Sequence, residues 1–195
     1  MNFLAHFHLA WPDEGMIAGG LEGDFYKGLL PGDLPEHILR GVKLHRAIDA
    51  FTDNHALIVE LRTHFPTPLR RYAGILIDLS FDHYLTQHWS KYSRLKLTDF
   101  NSRVCRILNT HEAHLSEGSR TMLGRIQEYD ILNLYHDWDT VTATATRIGE
   151  RFQRGNPLLD VDTQLPPIKH ELERTFLEFY PKLLTFSETQ QAHLN

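Results

Sequence analysis

The stretch from Leu69 to Trp89 constrains the fold most strongly. Leu69, Tyr72, Ala73, Leu76, Leu79, Phe81 and Leu85 recur at helical spacing and spread around much of the circumference. A helix apolar on most sides must be surrounded by other elements, so this one is expected at the centre of the fold. Its neighbours read as helices too. Ile38, Val42, Ile48 and Phe51 share a helix beginning near Pro35, a residue that suits a first turn. Thr52 or Asp53 is placed to cap a following helix carrying Leu57, Val59 and Leu61, and Pro66 and Pro68 then break the chain. Further helices are expected at about 98–111, 117–128 and 139–154, and from 168 onward, with Gly155-Asn156-Pro157 and Pro166-Pro167 as punctuation. No segment alternates with period two between turn signals, so the expectation is an all-α, compact, single-domain helical bundle over residues 1–195. The stretch from Gly15 to Gly32 is glycine-rich but lacks a strand–loop–helix phosphate fingerprint.

Composition narrows the function. A 42% hydrophobic fraction can fill a core, and no apolar run reaches the roughly 18–20 residues of a membrane span. The opening Met1-Asn2-Phe3-Leu4-Ala5-His6 has neither a basic n-region nor a small-residue cleavage site, so a cytoplasmic protein is expected. The single cysteine, Cys105, excludes an internal disulfide and a thiolate-rich zinc site. A net charge of −5 argues against nucleic acid as the main partner. Lys91, Arg94, Lys96, Arg103 and Arg106 nevertheless gather against the lone Asp99, which is either a solvated helix face or a docking face for an acidic partner. Histidine is abundant, at 13 residues, and suits both metal ligation and proton transfer near neutral pH.

Two constellations carry chemistry. His45, Asp49 and Asp53 stand at i, i+4 and i+8, along one face of a continuing helix, and together suit a divalent cation. The plainer reading makes Asp53 a cap and His45–Asp49 an exposed ion pair. Asp78 and Asp82, followed by His83, stand at i and i+4 inside the most apolar helix. Buried like charges cost several kcal/mol each unless compensated, and a cation shared with the His45 face would compensate them. A salt-bridge network with Arg46, Arg70 or Arg71 is the competing explanation. Asp24, between Gly23 and Gly28 in Gly23-Asp24-Phe25-Tyr26-Lys27-Gly28, is a further candidate ligand. His6, His8 and His88 lie in apolar surroundings, where histidines are more often core residues than ligands.

These motifs resemble those of the acyl carrier protein phosphodiesterases. The resemblance rests on Asn2-Phe3-Leu4-Ala5-His6, the Gly23–Gly28 segment, His45-Arg46-x-x-Asp49 through Thr52-Asp53, and Asp78-x-x-x-Asp82-His83 with His88-Trp89. It continues through Tyr135-x-Asp137-x-Asp139 and Phe179-Tyr180-Pro181, and so spans almost the whole chain in the same order. It implies hydrolysis of holo-acyl carrier protein to the apo form and free 4′-phosphopantetheine with a divalent ion, usually Mn2+, with Mg2+ as an option. It also implies an all-helical, divergent HD-type phosphohydrolase fold. The HD pattern uses an adjacent His-Asp pair, present here only as His136-Asp137. A ligand set drawn from Asp24, His45, Asp49, Asp78 and Asp82 is preferred over that dipeptide. Lys27, Arg46, Arg70 or Arg71 would balance phosphate charge, and His83 or His6 would move the proton to the leaving serine oxygen. Two other functions stay open: a small-molecule, nucleotide-type phosphohydrolase, and a noncatalytic helical module that binds acyl carrier protein.

Overall fold

The computed structural model describes residues 1–26, 28 and 34–194. In chain order the helices are α1 (Phe3–Ala10), α2 (Glu14–Glu22), α3 (Glu36–Asn54), α4 (Ala56–His64), α5 (Ala73–Gln87) and α6 (Trp89–Tyr92). They continue as α7 (Leu97–Thr110), α8 (Glu117–Glu128), α9 (Ile131–Leu134), α10 (Trp138–Gly149), α11 (Val161–Gln164) and α12 (Lys169–Leu194). The fold is all-α, with no strand among the described residues. No described helix is long and apolar enough to cross a membrane.

The apolar segment becomes α5, preceded by a 3-10 turn over Thr67–Tyr72 with Pro68 in its first turn. Leu76, Ile77, Phe81, Tyr84 and Leu85 are all buried, and α1, α10 and α12 pack against this helix. Phe81, Phe176 and Phe179 meet ring to ring between α5 and α12. The expected cap at Thr52 or Asp53 is a correction. The α3 helix runs on to Asn54, and His55 caps α4 by accepting the Leu57 N–H at its Nδ1, 3.2 Å away. Thr52 is buried, and Asp53 instead pairs with Arg62 at 2.6 Å on the surface.

Helix α2 lies in the glycine-rich stretch. Asp13 starts it by accepting the Met16 N–H at 2.8 Å. Glycine is a poor helix former, about 1 kcal/mol worse than alanine, but here it permits direct backbone contact. A Cβ on Gly19 would stand 2.2 Å from the Ile38 carbonyl oxygen, and one on Gly41 would stand 2.7 Å from the Met16 Cα. The α2 and α3 backbones therefore touch, which fixes the end of α2, and the Asp24 turn after it, beside the middle of α3.

Candidate active site

Three helices bring the site together. Helix α3 carries His45 and Asp49 one turn apart, α1 carries His6, and the turn after α2 carries Asp24. The His6 and His45 imidazoles stack with centroids 3.9 Å apart and an interplanar angle of 18°. Both Nε2 atoms face Asp49, His6 at 3.1 Å from Oδ1 and His45 at 3.1 Å from Oδ2. Asp24 Oδ1 lies 3.9 Å from His45 Nε2. A Cβ on Gly23 would reach the His45 ring at 2.3 Å, so the glycine before Asp24 is what lets this turn close over the imidazole.

The charged groups of the cluster shift one another's protonation. Burial and the adjacent His45 push the His6 pKa down to about 3, so it is a neutral donor at physiological pH. Burial pushes Asp49 upward, but the two facing imidazoles outweigh it and hold the carboxylate well below its ordinary range. The Met1 α-ammonium bridges Asp49 Oδ1 at 3.3 Å and Asp78 Oδ1 at 3.0 Å. Burial lowers its pKa, yet Asp78 and Asp49 together raise it to about 11. Burial raises both Asp24 and Asp78, the ammonium partly offsetting this at each. An ammonium group therefore stands between Asp78 and Asp49. The competing arginine network does not form: Arg46 donates to the Tyr26 carbonyl at 2.9 Å, and Arg70 to the Phe65 and Thr63 carbonyls.

A divalent ion fits this donor set. His6, His45 and Asp49 each offer an atom within 4.8 Å of the others, and among the described residues they are the one such group of histidine, cysteine and carboxylate side chains. His6 is 2% exposed, and neither of its ring nitrogens has a hydrogen-bond partner of good geometry. Two imidazoles and a carboxylate are donors that Mn2+, Zn2+ or Fe2+ accept. Asp24 and Asp78 are placed at the edge of the same cluster.

Other expected residues go elsewhere. Asp82 is fully buried, and its Oδ2 accepts the Leu4 N–H at 2.8 Å while Oδ1 accepts the Ala5 N–H at 3.1 Å. Asn2, at the start of α1, makes no side-chain cap bond, so Asp82 satisfies the free amides of that first turn from across the core. Burial raises its pKa to about 7 against the pull of those two amides. His83 turns away from the cluster, its Nδ1 3.0 Å from the Tyr135 carbonyl oxygen and its ring edge-on to Trp138. The His136-Asp137 dipeptide is exposed, with Asp137 capping α10 through the Asp139 N–H. His8 contacts the Tyr180 hydroxyl and His88 pairs with Glu173. Lys27 lies outside the described residues.

A groove of about 550 Å³ opens beside the cluster. Asp24, Asp78, Asn2 and Tyr135 line it at this end, with apolar wall supplied by Phe3, Ile75, Leu79, Met122 and Ile148. Asn2 Nδ2 donates to the Tyr135 hydroxyl at 2.8 Å, tying α1 to the wall. The groove draws on residues from Met1 to Arg151, and no local pattern in the sequence announces it.

A model of the family described as acyl carrier protein phosphodiesterase matches residues 1–183. The chain belongs to the acyl carrier protein phosphodiesterase family. A family member from Klebsiella pneumoniae (strain 342) is 33% identical over 98% of this chain and 100% of its own length. One from Escherichia coli O6:H1 (strain CFT073) is 31% identical over 94% of this chain and 96% of its own, and one from Yersinia pestis 28% identical over 98% and 100%. All three bear the name acyl carrier protein phosphodiesterase. No solved structure matches.

Proposed function

We propose that this protein hydrolyses holo-acyl carrier protein to apo-acyl carrier protein and 4′-phosphopantetheine, and that a divalent ion, Mn2+ by the family resemblance, is held by His6, His45 and Asp49 with Asp24 and Asp78 beside them. Family membership carries the substrate; the clustered His6, His45 and Asp49 donors carry the metal. The ion supplies neutralisation of phosphoryl charge and a water of lowered pKa. The chain's residues do the rest. His6 stays neutral and is held in register by stacking on His45, so it needs to lose no proton to bind. Arg46 fixes the Tyr26 carbonyl, and with it the turn that presents Asp24. His83 is held against the Tyr135 carbonyl, which leaves proton delivery to a group facing the groove. Asp24, half-exposed, lining the groove and 3.9 Å from His45 Nε2, is the carboxyl placed to pass a proton to the departing serine oxygen.

Intact-protein mass spectrometry of holo-acyl carrier protein, run beside a panel of nucleotides and simple phosphate esters, tests the reading. The carrier should lose the mass of its phosphopantetheine arm while the nucleotides survive. An intact carrier together with cleaved nucleotides would replace the reading with the small-molecule phosphohydrolase. An intact carrier that still binds would favour the noncatalytic module.

A further inference from the structure

The groove is also lined by cations that the proposed chemistry does not use. Arg125 projects from α8, Arg147 from the last turns of α10, and Arg151 from the turn that follows, and all three line the groove. All are exposed, and none has a carboxylate within 4.0 Å among the described residues. Two exposed apolar side chains share this rim, Tyr129 at 57% and Leu134 at 47%. Unpaired arginines beside an exposed tyrosine and leucine form the kind of mixed surface that protein interfaces favour.

We infer that Arg125, Arg147 and Arg151, with Tyr129 and Leu134, form the face on which an acidic surface of the carrier protein docks, so that the groove between them and Asp24 admits its phosphodiester-linked arm. The inference rests on the proposed phosphodiesterase reading. Two observations favour a protein partner over a small anion. The guanidinium groups come from two separate elements, and water surrounds each, so any one pair with an anion is worth only about 0–1 kcal/mol. Useful affinity requires a partner that presents several carboxylates at once and buries the apolar rim between them. The cationic segment from Lys91 to Arg106, the docking face suggested by the sequence, fits less well. Arg103 and Arg106 line a separate recess with Glu14 and Asp99, which shares no residue with the metal cluster or the groove.

The test compares Arg147→Glu/Arg151→Glu and Arg125→Glu with Arg103→Glu on the other face. Affinity for fluorescently labelled holo-acyl carrier protein is read by anisotropy across a salt series, together with KM and kcat, Mn2+ affinity and circular dichroism. Reversal at the groove rim should weaken carrier binding by about tenfold or more at low salt, with the gap closing as salt rises. The loss should appear in KM, with Mn2+ affinity and helix content retained. Arg103→Glu should bind as wild type does. Unchanged anisotropy for both rim variants, or a larger loss in Arg103→Glu, would overturn the inference. If the wild type binds the carrier but releases no phosphopantetheine, the catalytic reading falls, and the anisotropy series still decides where the carrier docks.

Discussion

Asp82 separates a structural carboxylate from a metal ligand. In Asp82→Ala the Leu4 and Ala5 amides lose both acceptors while buried at the start of α1. Each unsatisfied buried amide costs about 1–3 kcal/mol, so the gross loss is about 2–6 kcal/mol. Removing a buried carboxylate also removes its desolvation penalty, which offsets part of this. Asp82→Asn is the cleaner variant. It keeps the shape and one acceptor oxygen but turns an NH2 toward the second amide, for an expected loss of about 1–3 kcal/mol. The pH dependence supplies a sign. The folded pKa of about 7 lies above the ordinary value of 3.8. This group's contribution is therefore fully present below pH 3.8 and is lost as pH rises through 7. The deficit of Asp82→Asn relative to wild type should be larger at pH 5 than at pH 8, by about 2–3 kcal/mol at most. Urea denaturation of metal-free protein at both pH values measures it, and an Mn2+ titration accompanies it. Wild-type stability in Asp82→Asn, combined with abolished metal affinity, would refute the structural role and return Asp82 to the ligand set.

Three further outcomes follow from the packing. Gly23→Ala drives a Cβ into the His45 ring at a site whose φ of −54° alanine adopts freely, so Mn2+ affinity should fall about 10–100-fold with helix content unchanged; a titration followed by circular dichroism checks this. Gly41→Ala pushes α3 off the Met16 backbone and should cost about 1–3 kcal/mol in a thermal melt, without altering the groove-rim residues. Burial depresses the His8 pKa to about 4 from 6.5, so its contribution is present above pH 6.5 and is lost as pH falls toward 4; His8→Gln should flatten that acid loss, about 3 kcal/mol at most, in denaturation curves at pH 7 and 4.5.

Helical periodicity was sufficient for the all-α class, because α3, α7 and α8 each bury one face and α5 is buried around most of its circumference. The His45–Asp49 spacing is local and survives into the structure as a facing pair at 3.1 Å. Helix α2 was not legible, since Gly15, Gly19 and Gly20 lower helix propensity and their compensation lies in contact with distant α3. The spacing of Asp78 and Asp82 placed them on one face, but neighbouring elements pull them to different work. Asp78 meets the Met1 ammonium, whereas Asp82 meets the amides of α1. His6 sits in an apolar run that reads as core; only the folded chain stacks it on His45. The arginine rim joins positions 125, 147 and 151 across two elements, a proximity no local pattern encodes.

On the proposed reading, an ion held by His6, His45 and Asp49 drives phosphodiester hydrolysis. The direct measurement is an Mn2+ titration of EDTA-treated protein, with bound ion read by electron paramagnetic resonance and apo-acyl carrier protein by mass spectrometry in the same samples. Turnover should rise in proportion to bound ion and saturate with it, and His45→Ala should lose both while keeping its helices. Full turnover in excess EDTA, or an unchanged titration in His45→Ala, would contradict the account.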